Sequence, residues 1–151
     1  MGLVHQFAII PKDSDVSMVS SDMDSVSISD MIIQYIGDSL KWISTTWNGK
    51  RLQNGISYYG FSFIEDGEIT KLKNILKQWV ELFRLSPDEF YLTGEFLLDE
   101  ERYENILVKK GEIIKNLNSC IYICEKAINE GKRVLHNGIF NQRTFRPCDF
   151  S

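Results

Sequence analysis

The chain has 151 residues, 43% apolar and 25% charged, with a net charge of −4. That length suits one domain with one core, and that balance excludes disorder throughout. The acidic balance argues against a chain whose main business is gripping nucleic acid, since such domains are usually basic, and is compatible with a basic protein partner.

Three cysteines make an odd count. Cys120 and Cys124 sit four apart on one expected helix face, about 6 Å apart at Cα but with poorly directed Cβ vectors, so no bridge is expected between them. Cys148 lies in the tail. The pattern is that of a reduced, cytoplasmic chain. Met1-Gly2-Leu3-Val4-His5-Gln6 has neither the basic start nor the apolar core of a signal peptide, and no Ser or Thr where a myristoylation motif needs one. No apolar run reaches the ~18 residues of a membrane span.

In chain order, Val4 to Ile10 reads as a strand ended by Pro11. Lys12 to Ser29 is rich in Ser and Asp and poor in apolar anchors, which predicts a mobile or loosely packed loop over about 12–27. Asp13 to Asp38 holds six aspartates and no lysine or arginine, a local negative patch. The plain reading is a solvated loop; the alternative is a binding surface. Ser27 or Ser29 can cap the helix that follows. Ile32, Ile36, Leu40, Ile43 and Trp47 give it an apolar stripe, and Asn48-Gly49 stops it. Lys50 to Gly55 is a polar connector.

The strongest pairing of elements runs from Ser57 to Leu85. Ser57-Tyr58-Tyr59-Gly60-Phe61-Ser62-Phe63-Ile64 reads as a central strand. After the turn at Glu65-Asp66-Gly67, Ile69, Leu72, Ile75, Leu76, Trp79, Val80, Leu82 and Phe83 recur at helical spacing. Burying eight such side chains would contribute roughly 12–24 kcal/mol gross, before chain entropy. Ser86-Pro87-Asp88-Glu89 looks like a helix start, but Phe90 to Leu98 alternates and is aromatic, so a bend and then a strand are expected. Tyr103 to Val108 returns beyond the charged turn Asp99-Glu100-Glu101-Arg102, giving a hairpin. Ile113, Ile114, Leu117, Cys120, Ile121, Cys124 and Ile128 mark a third helix, and Arg133 to His136 a last short strand. Residues 137–151 have no period and are net basic.

The fold expected is α/β, with α+β as the alternative: one domain, a single mixed sheet with about three covering helices, in the order β-α-β-α-β-β-α-β, ending in an irregular tail over about 137–151.

Chemistry is harder to find. His5 and His136 stand at opposite ends of the chain without metal-ligand spacing, so no metal is expected and both read as ordinary histidines. Gly-x-Ser-x-Gly, the P-loop and Gly-x-Gly-x-x-Gly are absent, so neither a nucleophile nor a cofactor is expected. Cys120 and Cys124 read as core filler. Glu65 with Asp66, and Asp99 with Glu100 and Glu101, could do acid–base work but sit in turns, where a soluble turn is the simpler reading. Tyr58, Tyr59 and Trp79 could line an aromatic pocket, as could Trp42, Trp47 and Tyr91, although such residues are more often core.

The phrases Ile56-Ser57-Tyr58-Tyr59-Gly60 through Ile64, Lys77-Gln78-Trp79-Val80-Glu81-Leu82-Phe83, Tyr91-Leu92-Thr93-Gly94 and Ile123-Cys124-Glu125-Lys126-Ala127 through Leu135-His136-Asn137-Gly138-Ile139 carry a resemblance covering roughly residues 56–139. Over that stretch the chain resembles small bacterial immunity proteins, which neutralise secreted toxin domains of contact-dependent growth inhibition and related polymorphic toxin systems. The resemblance implies no catalysis. It implies a cytoplasmic chain that binds one cognate toxin domain, basic and acting on nucleic acid, and blocks its active site without itself touching nucleic acid or membrane. No contact residue transfers from the family. The acids Asp13, Asp15, Asp22, Asp24, Glu65, Asp66, Asp99, Glu100 and Glu101 are the candidates for the contact surface. Two alternatives stay open: a small enzyme or ligand-binding domain around Tyr58, Tyr59 and Trp79, and a subunit of a larger assembly using the basic tail as an arm.

Overall fold

The computed structural model describes residues 3–13, 24–47 and 50–140. Eleven elements follow in order: β1 (Val4–Ile10), β2 (Ser25–Ser29), α1 (Asp30–Leu40), β3 (Ser44–Trp47), β4 (Arg51–Asn54), β5 (Phe61–Ile64), α2 (Gly67–Phe83), β6 (Glu89–Leu97), β7 (Arg102–Lys109), α3 (Lys110–Asn129) and β8 (Arg133–Phe140). The fold is mixed α and β, with three helices as expected.

The sheet differs from the expectation of one mixed sheet. Six strands pair in the order β2-β1-β8-β5-β3-β4, and β6-β7 form a second sheet of their own. Every pairing is antiparallel. Three strands lie outside the expected order. Ser25–Ser29, read partly as loop, pairs with β1 because Val26 and Ile28 alternate with serines that face away from the core. Ser44–Trp47 and Arg51–Asn54, read as helix end and connector, form a hairpin. The stop expected at Asn48-Gly49, and most of the Ser/Asp loop, lie outside the described residues. Helix α1 ends at Leu40, so Trp47 belongs to a strand and is exposed. The central strand is shorter than expected, since residues 56–60 are irregular. At the other end β8 runs on to Phe140, into the stretch read as tail.

One face of the main sheet meets the helices. Phe7, Ile9, Ile28, Ile64 and Val134 bury against Ile32, Ile36, Leu72, Leu76, Leu117 and Cys124. The α2 stripe holds as expected for Ile69, Leu72, Leu76, Val80 and Phe83, while Leu82 turns out to solvent. Trp79 donates from Nε1 to Ser39 Oγ at 2.8 Å, and Ser39 donates to the Ile36 carbonyl at 2.6 Å, so one polar chain ties α2 to α1. Cys120 and Cys124 are buried free thiols, and the hydrogen bond between them together with burial raises the Cys120 pKa well above its ordinary value. Ser29 caps α1, accepting from the Met31 N–H at 3.2 Å. Among the described residues no helix is long and apolar enough to cross a membrane.

One glycine sets the position of the irregular segment before β5. A Cβ on Gly138 would lie 2.5 Å from the Tyr58 carbonyl oxygen, and the Gly138 N–H donates to the Gly60 carbonyl at 2.7 Å. Residues 57–60 therefore cross directly over β8, and only glycine allows that approach. Gly138→Ala should force the crossing apart and destabilise the chain by about 1–3 kcal/mol, read as a lower urea midpoint with unchanged slope. An unchanged midpoint would mean that the crossing gives way freely.

Candidate functional site

The two histidines from opposite ends of the sequence meet. Strand β1 carries His5 and strand β8 carries His136 on the helix-covered face, because those strands are neighbours in the sheet. His5 Nδ1 lies 2.8 Å from His136 Nε2, and the rings stack at 5.1 Å between centroids. His5 Nε2 lies 2.8 Å from Asp30 Oδ1, at the first turn of α1. The second carboxylate oxygen accepts from Gln34 Nε2 at 2.7 Å and from the Tyr58 hydroxyl at 3.1 Å. Both histidines are fully buried and Asp30 is 7% exposed.

The carboxylate orders the protons along this chain. An acceptor at Asp30 requires N–H at His5 Nε2, which leaves His5 Nδ1 a lone pair. That lone pair requires N–H at His136 Nε2, which leaves His136 Nδ1 a lone pair as well. His136 Nδ1 is the buried end, with no hydrogen-bond partner among the described residues. The unmatched atom is thus an acceptor, not an orphan N–H. Burial lowers the pKa of both histidines. At His5 the neighbouring Asp30 offsets part of that effect, while at His136 the shift is larger and the His5 ring adds to it. Burial, then the bond to Asp30, raises the Tyr58 pKa.

Asp30 also forms the floor of a groove of about 440 Å³ between α1 and the inner side of the β6–β7 hairpin. Helix α1 contributes Asp30, Met31, Gln34 and Tyr35, and the hairpin Leu92, Gly94, Glu95, Glu104 and Ile106. Three carboxylates and no lysine or arginine line it, so its field favours a cationic group. Glu104 folds over Gly94, where a Cβ would come within 2.6 Å of Glu104 Oε1. Behind that glycine the hairpin register shifts between Thr93 and Phe96.

The outer side of the hairpin is the other unusual surface. Tyr91 pairs with Leu107 and Phe96 with Tyr103, all pointing away from the core, and all four are at least 47% exposed. Phe96 and Tyr103 meet edge to face at 5.1 Å. Single exposed apolar residues are ordinary, but a run of them along one ribbon marks a contact surface.

The acids named from sequence are dispersed. Asp24 pairs with Lys126, Glu65 with Arg133 at 3.2 Å, and Asp66 with Lys12 at 2.9 Å. These three serve as ties within the chain. Asp99, Glu100 and Glu101 cluster at the hairpin turn, and only Glu100 has an ion pair among the described residues, with Arg102 at 3.0 Å. Asp13 lies in an exposed turn, and Asp15 and Asp22 fall outside the described residues. The aromatic trio is not one pocket: Tyr58 meets Tyr59 and His5, while Trp79 packs on Tyr35 and Phe83. Sequence reasoning missed the His5–His136–Asp30 chain, because pairing across 131 positions leaves no local signal. The alternating register of β1, with His5 in step with Phe7 and Ile9, was the available clue that this histidine faces inward.

Comparison with protein-family models, with curated proteins and with solved structures gives no match.

The buried histidines make stability depend on pH. Their folded pKa values lie below the unfolded one, so on acidification the unfolded chain binds protons first. Stability is therefore full above about pH 7 and falls as pH drops through the unfolded histidine value near 6.5. We expect a loss of up to about 1.4 kcal/mol per pH unit for each histidine that stays neutral in the fold. Urea unfolding at pH 7.5 and 5.5 measures it, and His136→Leu should roughly halve the slope. A pH-independent midpoint would contradict the assignment of neutral, buried rings.

Proposed function

We propose that this chain is an immunity protein: it binds a cognate secreted toxin domain, a basic nuclease, and blocks its active site. One observation carries the reading. The β6–β7 hairpin stands as a separate two-stranded sheet, with exposed aromatic and aliphatic side chains on its outer side and, at its turn, Asp99 and Glu101 without ion pairs among the described residues. A nuclease must present positive charge to hold its substrate, and an acidic surface of this kind competes for the same groups. Opposite charge also speeds encounter, which suits an inhibitor that must arrive before damage is done.

The sealed histidines fit the same reading. His5 and His136 are fully buried, so their nitrogens serve the fold and are not offered to a substrate. The groove above Asp30 supports a second reading, a domain that binds a small cationic ligand. Turnover or binding of such a ligand by the purified chain, lost in Asp30→Asn, would favour it over inhibition.

The test looks beside this chain's gene for a large secreted protein and uses its C-terminal domain; the absence of any such protein would count against the proposal. An equimolar amount of the chain should abolish that domain's cleavage of nucleic acid, and raising salt from 50 to 500 mM should weaken the complex at least tenfold. Activity that persists at stoichiometric excess would contradict the proposal.

A further inference from the structure

We infer that the outer face of the β6–β7 hairpin is the docking surface for a basic protein, with its aromatic centre holding the partner and its carboxylates setting how fast the partner arrives. This inference rests on the inhibitor reading and goes beyond it by assigning the face and dividing the work between two sets of residues.

The argument begins with charge. The hairpin, residues 89–109, holds six carboxylates, Glu89, Glu95, Asp99, Glu100, Glu101 and Glu104, against the cations Arg102 and Lys109, a net of −4. The whole chain is also −4, so the remainder is neutral. The acidity that composition spreads evenly is in fact a property of this hairpin. Its field attracts a positive partner and repels both nucleic acid and a second copy of the same face.

Geometry supplies the rest. Cross-strand pairs Tyr91 with Leu107 and Phe96 with Tyr103 form two apolar patches on either side of the polar pair Thr93 with Asn105, and Leu98 extends the outer one at the turn, 82% exposed. The inward residues Leu92 and Val108 are buried, so the hairpin is anchored and its outer side is fixed before any partner arrives. Exposed aromatic residues bordered by charges, here Glu89 and Lys109 at one end and the turn acids at the other, suit an energetic centre and its polar surround. Nine and eight residues at ~3.3 Å each make a ribbon of about 25–30 Å by ~10 Å, or roughly 300 Å². A standard interface covers about 800 Å² per partner, so the contact must run past the ribbon. Met31 and Tyr35, exposed on α1 across the groove from the hairpin's inner side, are reached only by a partner that wraps the ribbon's edge.

Two variants separate the roles, each measured for binding rates to the catalytically inactivated domain that the parent chain inhibits. Tyr91→Ser with Tyr103→Ser should speed dissociation at least tenfold and leave association within about twofold. Asp99→Asn with Glu100→Gln and Glu101→Gln should slow association at least fivefold at 50 mM salt, a difference that vanishes at 500 mM, with dissociation unchanged. Both sets face solvent, so circular dichroism and the urea midpoint should match the parent. Should the aromatic variant misfold, the turn variant's salt-dependent association decides alone. If the parent chain inhibits and both variants bind as it does, the face assigned here is wrong and the inhibitor reading survives. If the parent chain does not bind, both fall. Dimerisation of the purified chain through Tyr91 and Tyr103 would also overturn the assignment.

Discussion

A buried carboxylate holds together the parts of this molecule that the backbone keeps apart. Asp30 accepts from His5 of β1, from Gln34 one turn along α1, and from Tyr58 of the segment that crosses β8. Through His5 it reaches His136 in the middle of the sheet. A carboxylate so placed is costly to bury and gives stability only while its donors stay in position, so it fixes the helix, the sheet and the crossing segment in one arrangement. Gly138 is the steric counterpart, because it lets residues 57–60 come close enough for Tyr58 to take part. Once α1 is fixed, one wall of the groove is fixed, and the hairpin forms the other.

What could be read from the sequence follows from how local its causes are. The three helices were readable because each carries its own apolar stripe, although α1 ends at Leu40, short of the stop read at Asn48-Gly49, and the capping role of Ser29 needed only a neighbouring residue. The β6–β7 hairpin was readable for the same reason, as alternation interrupted by a charged turn. Sheet membership was not. The separation of that hairpin from the main sheet, and the pairing of β2 with β1, depend on contacts that no window of the sequence contains. Short polar strands such as Ser44–Trp47 and Arg51–Asn54 have too little periodicity to stand out from a connector.

The candidate site divides along the same line. The acids at 99–101 were visible as a charged turn, and the structure sets them beside exposed rings that pattern alone assigns to core. Glu65, Asp66 and Asp24 looked equivalent to them in sequence, yet each is tied to a cation of the chain itself. Counting carboxylates therefore overstates the free negative surface, whereas locating their partners concentrates it on one hairpin. The histidine pair shows the opposite error. Two unremarkable residues become the polar centre of the fold because two termini-proximal strands lie side by side.

The central claim is that this chain acts by covering a basic protein with the outer side of β6 and β7. Hydrogen exchange of the equimolar complex with the proposed target domain, compared with the free chain, tests it most directly. Added protection over residues 89–109 and the first turns of α1, with the sheet edge at β4 unchanged, is the result expected. Protection confined to surfaces away from the hairpin, in a complex that still inhibits, would contradict it.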